Sequence, residues 1–129
     1  MNRHIPKPIK IYTYKLPNDW TVMVGKTDHD NDCLSIKLAH PQDWWFHVHG
    51  MPGSHVLLKR KENDEEPGTE ILKAAAAIAA YHSKARSSGT VPVSCTRALY
   101  VSKPRGAKPG TVTIRKEKVI KVKPALPLE

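Results

Sequence analysis

Residues 43–56, Asp-Trp-Trp-Phe-His-Val-His-Gly-Met-Pro-Gly-Ser-His-Val, constrain the fold more than any other stretch of this chain. They hold two of the three tryptophans, the only phenylalanine and three of the seven histidines. Alternation puts Trp45, His47 and His49 on one face of a strand and Trp44, Phe46 and Val48 on the other. The second set is the expected core face, because such residues are usually buried. Pro52-Gly53 is the expected centre of a type II turn, since proline presets the first dihedral and glycine accepts positive φ at the second. From Ser54 the chain resumes as an extended run, His55-Val56-Leu57-Leu58. Two strands are predicted, with a histidine-rich aromatic surface near their connector.

On either side the elements are short. Residues 9–14 and 20–25 alternate as strands around the break Pro17-Asn18-Asp19, a predicted hairpin. The polar run from Gly25 to Asp32 is expected to be a loop whose aspartate or asparagine caps a short helix, with Leu34, Leu38 and Ile36 facing inward. This acidic loop lacks the glycine and terminal glutamate of a calcium-binding EF-hand. A charged loop follows from Lys59 to Gly68. Thr69 is then the expected cap of the strongest helix in the chain, Ile71 to Ala85, dense in alanine and free of glycine and proline. Its stripe of Leu72, Ala75, Ala76 and Ala79 is thin enough to lie close on a sheet. Residues 91–95 and 97–101 read as strands, and 111–114 with 119–122 as a closing hairpin around Arg115–Lys118. The fold class is α+β: a largely antiparallel β-sheet packed with one long Ala-rich helix and one short helix. The 129 residues are expected to form a single domain with a core of about 11–122 and short flexible ends, the tail at Leu126-Pro127-Leu128 included.

Charge separates along the sequence. The chain carries +9 overall, and from Arg97 to Lys123 nine basic residues face one acid, Glu117. Arg3, Lys7, Lys10 and Lys15 add to this at the start, while acids gather at 28–32 and 62–70. Such a split suggests a basic face for a polyanion, RNA or DNA being the common case. No long apolar segment and no signal-peptide pattern is present, and Cys33 and Cys95 lack the spacing of a redox or zinc motif, so a reduced, cytoplasmic protein without a membrane partner is expected.

Histidines 47, 49 and 55 have metal-ligand chemistry, yet zinc needs a third or fourth ligand at sensible spacing and no complete set is found. No metal, cofactor or catalytic residue is therefore assigned. A histidine-dependent or metal-assisted phosphoester hydrolase stays open as an alternative, as does an adaptor docking on a protein through the Ala-rich helix. RNA binding asks for cations along a backbone track and aromatic faces for exposed bases. Lys84, Arg86, Lys103, Arg105 and Lys108 are the phosphate candidates. Trp45, His47 and His55 are the candidates for specific contacts, with Asp43 orienting an imidazole or accepting from a base. For Trp45 a place in the core competes with that role.

Several blocks, in order, resemble one known family, the NFACT-R domain, also known as a domain of unknown function at the C-terminal end of fibronectin-binding-protein-like NFACT proteins. They are Asn31-Asp32-x-Leu34, then His40-Pro41-x-Asp43-x-Trp45-Phe46-His47-Val48, then Pro52-Gly53-Ser54-His55-Val56. The helix Ala75–Arg86, Val91-Pro92-Val93 and the segment from Tyr100 to Gly110 follow suit, so the likeness runs from about Tyr12 to Val122. The resemblance adds Ser54 to the RNA-binding candidates. It implies a non-catalytic RNA-binding module acting with ribosomal or transfer RNA on the large ribosomal subunit, in ribosome quality control, beside ribosomal or NFACT-type proteins. Multidomain members recruit transfer RNA to tail trapped nascent chains. The 129 residues include none of their N-terminal domain, helix-hairpin-helix or coiled coil, so, unless they are a fragment, a stand-alone form is expected. The family's adhesin label would ask for an export signal that this sequence does not show.

Overall fold

The structure, a computed structural model, describes residues 8–127. The cations Arg3 and Lys7 lie outside the described residues. The described residues form eight strands: β1 (Ile11–Leu16), β2 (Trp20–Gly25), β3 (Trp44–Val48), β4 (Val56–Leu58), β5 (Val91–Arg97), β6 (Val101–Ser102), β7 (Thr113–Ile114) and β8 (Lys118–Val122). Two α-helices join them, α1 (Asp28–Asp32) and α2 (Thr69–Tyr81). The main sheet has six strands in the order β1-β2-β4-β3-β5-β8, every pair antiparallel. Its edges are β1 and β8. Among the described residues no helix is long and apolar enough to cross a membrane.

The period of two in β3 works on both sides. Phe46 and Val48 face α2 and join Val22, Val24, Val56, Leu58, Val93 and the alanines 75, 76, 79 and 80 in the larger core. Alanine side chains let the α2 backbone lie close to the sheet, as the stripe predicts. The other face is covered as well, by a second, thinner layer. Trp45 and Leu57 pack there with Leu34 from the helical segment after α1 and Val101 from β6. A strand buried on both faces takes apolar residues at consecutive positions, which accounts for the density of aromatics in this stretch. Both strands of the predicted β1–β2 hairpin form, turned at Pro17–Asp19.

Several expectations are corrected. Pro52-Gly53 is not a type II turn, because the positive φ falls on Gly50, at 75°. Gly53 is required for proximity instead: a Cβ there would lie 2.9 Å from Ser83 Cβ and 2.9 Å from Val48 Cγ1. Helix α2 stops at Tyr81 and spans 13 residues, so the long helix through Ala85 is not what forms. Ser83 ends it, its hydroxyl donating to the Ala80 carbonyl at 2.7 Å and accepting from the Ala85 N–H at 3.0 Å. The first residue of α2 is Thr69 itself, and Gly68 holds the cap position. At the short helix, Thr27 is the cap, in a reciprocal box with Asp30, and α1 widens into π-helical turns over Cys33–Leu38. That widening turns Leu34 inward but leaves Ile36 and Leu38 exposed.

The predicted closing hairpin also does not exist. β7 pairs with β6 in a small separate sheet, while β8 pairs with β5 at the edge of the main one. Arg115–Glu117 is a crossing between layers rather than a turn between partners. Past β8 the chain runs back along α2, the Ala125 N–H donating to the Ala77 carbonyl at 3.2 Å and Leu126 packing on the core. The frayed tail is thus corrected as far as Pro127; Leu128 lies outside the described residues.

Gly53→Ala is expected to destabilise the fold by about 1–3 kcal/mol, the usual cost of forcing a methyl into packed surroundings. Chemical denaturation should show the loss as a lowered midpoint at unchanged slope.

Candidate nucleic-acid interface

The antiparallel sheet has two ends, and the polar residues sort between them. At one end lie the starts of β2, β3 and α2 with the ends of β4 and β5. Here several cations are matched by acids. Arg60 pairs with Asp64 at 2.8 Å, Lys61 with Glu65 at 3.3 Å, and Arg97 with Glu66 at 2.7 Å while stacking on Trp44 at 3.8 Å. Asp43 belongs to this end. It is fully buried, and its carboxylate accepts from the backbone N–H groups of His40 at 2.8 Å and Arg60 at 2.6 Å and from the Lys59 ammonium. Strand β3 stands between it and His47, so it orients no imidazole. Its function is to close the loops around the start of β3.

The opposite end collects the start of β1, the ends of β2, β3 and α2, the 49–55 connector and the basic loop 103–110. Its organisation rests on His55. The ring Nε2 lies 3.1 Å from the Gly110 carbonyl oxygen and Nδ1 lies 2.7 Å from Ser35 Oγ. A carbonyl can only accept, so Nε2 carries the proton and Nδ1 is bare. The Ser35 hydroxyl must then donate to Nδ1, leaving its oxygen to accept from the Trp45 indole N–H at 2.8 Å. Trp45, Ser35 and His55 are buried, and Gly110 is half-buried. The run ties β3, the π-helical segment, the connector and the basic loop into one unit. Burial, reinforced by neighbouring His47, pushes the His55 imidazole from 6.5 down to about 4, so it is neutral at physiological pH. Burial also lowers His47.

Asp32 is the second anchor of the basic loop. Its carboxylate accepts from the Gly110 N–H at 2.9 Å and pairs with the Lys103 ammonium at 3.1 Å. Lys103 also donates to the Thr111 carbonyl at 2.9 Å and to the Lys108 carbonyl. Lys103 thus holds the loop together from within, whereas Arg105 and Lys108 project from it exposed.

Trp45 and His55 are both 2% exposed and take structural places rather than presenting faces to a ligand. His47 is half-buried, stacked on Trp45 at a centroid distance of 5.9 Å, and lines a shallow hollow of about 290 Å³ with His49, Ser94 and Thr111.

Beside this hollow runs a cleft of about 400 Å³ that gathers three predicted residues, Ser54, Lys84 and Arg86. They meet because the segment after α2 is pinned to the connector. Ser54 N–H donates to the His82 carbonyl at 3.0 Å, and Gly53 bridges to Ser83. The cleft also holds residues that sequence reasoning missed: Tyr12, Lys26, Asp28 and His82. The Lys26 ammonium lies over the Tyr12 ring at 4.4 Å, Tyr12 meets His82 at 4.7 Å, His82 meets Tyr81 at 5.3 Å, and the Arg86 guanidinium caps Tyr81 at 4.0 Å. Three rings thus stand in a row with a cation at each end. Tyr14 Oη lies 2.8 Å from His82 Nε2 and steadies that ring, whose burial lowers its pKa. Among the described residues no carboxylate lies within ion-pairing distance of Lys26, Lys84, Arg86, Arg105 or Lys108.

Residues 10–116 match the family described as the NFACT protein RNA binding domain. The chain is 42% identical over 112 residues to the Rqc2 homolog RqcH of Bacillus subtilis (strain 168), covering 87% of this chain and 19% of that protein. It is also 42% identical over 103 residues to the Rqc2 homolog RqcH of Streptococcus suis (strain 05ZYH33), covering 80% of this chain and 18% of that one. The chain thus spans about a fifth of the length of these curated relatives. Among solved structures, the C-terminal part of the fibronectin/fibrinogen-binding protein from Streptococcus suis is similar at a TM-score of 0.84 and 38% identity, over 95% of this chain and 49% of that one.

Two outcomes follow from the anchoring of the loop. Lys103→Ala should cost on the order of 2 kcal/mol, as loss of charge-assisted hydrogen bonds does, whereas Arg105→Ala should stay within about 0.5 kcal/mol; thermal melts separate them. Acid should also unfasten His55. The unfolded imidazole takes up its proton near 6.5 and the folded one only near 4, so its contribution is complete above about 6.5 and is lost as the pH falls toward 4. The loss is on the order of 3 kcal/mol at about 1.4 kcal/mol per pKa unit. Denaturation across that window should show it, and His55→Gln should flatten the profile.

Proposed function

The chain belongs to the NFACT protein RNA binding domain family, and on that premise we propose that it is a non-catalytic RNA-binding module that engages ribosomal or transfer RNA on the large ribosomal subunit. The observation that carries this reading is the separation of paired from unpaired cations. Arg60, Lys61 and Arg97 have acidic partners, while Lys26, Lys84 and Arg86 in the cleft and Arg105 and Lys108 on the adjoining loop have none among the described residues. Unmatched cations on one end of a fold, with rings between them, are what a phosphate backbone with accessible bases requires. The whole chain is read as one such domain, with its core at about 11–122, working in the cytoplasm beside ribosomal or NFACT-type proteins in ribosome quality control. The likeness to the two RqcH proteins supports that setting.

Within the interface the residues have separate tasks. Lys84, Arg86, Arg105 and Lys108 hold phosphates, and Ser54 offers a hydroxyl at the cleft. His47 contributes from the neighbouring hollow. Asp43, Trp45, His55 and Lys103 act indirectly by fixing loops that carry these groups. Ser35 and His55 are hydrogen-bonded to each other but both are buried, out of a substrate's reach, which speaks against the hydrolase alternative. The adaptor alternative loses the alanine face of α2, which is buried against the sheet, and would have to use another surface, such as the apolar groove near exposed Ile36 and Leu99.

Fluorescence anisotropy with transfer RNA and large-subunit RNA fragments, from about 50 to about 200 mM salt, tests the proposal. Affinity should fall steeply with salt, and Lys84→Ala or Arg105→Ala/Lys108→Ala should shallow the slope by about 1 for each phosphate contact removed. RNA binding indifferent to all three substitutions would move the interface elsewhere, and no RNA binding at moderate salt would leave the adaptor reading.

A further inference from the structure

The cleft between Tyr12, Lys26, Asp28, Ser54, His82 and Arg86 has a composition that a duplex backbone does not match. We propose that it takes a single unpaired nucleotide, the base on the Tyr12 ring and the phosphate on the Lys84–Arg86 side; this rests on the RNA-binding reading and deepens it. Three observations converge. First, the volume of about 400 Å³ falls in the range of about 300–1,000 Å³ typical of pockets for small organic molecules. Second, Tyr12 is 42% exposed on the edge strand β1, and the group now over its ring is the ammonium of an exposed lysine. A flexible Lys26 can yield that face to a base and swing toward a phosphate, whereas the His82 ring beside Tyr12 is held by Tyr14. Paired bases in a duplex offer no free face to such a ring.

Third, the cleft is not uniformly cationic. Asp28 lines it, exposed, and its carboxylate accepts no hydrogen bond from a described residue. A carboxylate sharing the cleft with three cations disfavours a phosphate chain that fills the whole of it. It suits a ligand that is anionic at one end and donates hydrogen bonds at the other. A nucleotide has that polarity, with its phosphate at one end and an exocyclic amine on the base at the other. The location of Asp28 next to Gly110, where an added Cβ would lie 2.9 Å from Asp28 Oδ1, puts this acceptor where the cleft meets the basic loop. The neighbouring nucleotides of a strand can then continue onto Arg105 and Lys108.

The sign of the Asp28 effect makes the inference testable. Binding of a short, unstructured oligoadenylate and of an RNA duplex of equal length is measured by anisotropy for the wild-type chain, Tyr12→Ala, Tyr12→Phe and Asp28→Ala. Tyr12→Ala should weaken the single strand roughly tenfold, the size of one lost stacking contact, and leave the duplex unchanged, while Tyr12→Phe stays near wild type. Asp28→Ala should weaken oligoadenylate binding even though it makes the protein more basic. If Asp28→Ala binds both RNAs more tightly and Tyr12→Ala changes neither, the cleft is an electrostatic surface and the inference is overturned while RNA binding stands. If neither RNA binds the wild-type chain, the reading beneath it fails too. Tyr12 and Asp28 are exposed, so circular dichroism should show both variants folded.

Discussion

The hydrogen-bond run from the Trp45 indole through Ser35 and His55 to the Gly110 carbonyl is the constraint on which the arrangement of this protein depends. Its direction is forced by its last member, because a carbonyl oxygen cannot donate. With that direction set, a hydroxyl that rotates freely in water becomes a fixed relay, and a titratable ring becomes a neutral strut. The thin second layer has a small apolar core of its own, four buried residues, so polar contacts of this kind position it. A half-satisfied network in such a place would be worse than none, which is why every group in the run has its partner.

Position of the loop in turn decides which cations are free. Lys103 is spent inside, on Asp32 and two carbonyls, and by filling that role it leaves Arg105 and Lys108 outside. Equal charges five residues apart thus do unequal things. A like contrast separates Lys59, Arg60, Lys61 and Arg97, which stabilise loops against acids, from the cleft cations, which do not. Net charge alone would have counted them together.

Local pattern made the first hairpin, the strand through Phe46 and the alanine face of α2 legible, because a period of two or of 3.6 is written in neighbouring residues. The family likeness singled out Ser54 and charge singled out Lys84 and Arg86, and the fold brings the three into one cleft. Tyr12 and His82 were not visible: seventy residues separate them, and only the pairing of β1 with β2 and the docking of the 49–55 connector bring their rings to 4.7 Å. The burial of Trp45 was one of two readings open to the sequence, but the layer that buries it was not legible, since the residues that cover it come from the π-helical turns and from β6. The last strands were mispaired for a related reason. A short charged turn between two apolar runs looks like a hairpin wherever it stands, and nothing local says that its two arms belong to different sheets.

The open edges of the main sheet lead to one more consequence. Among the described residues β8 has no strand on its outer side, and Lys118 and Lys121 stand exposed along it. A second chain adding a strand there would have to bring its own edge against those ammonium groups, and identical chains would set lysine against lysine. The cationic character that draws a polyanion therefore also discourages self-association by strand addition, and neutralising these lysines to tune affinity would invite aggregation along that edge.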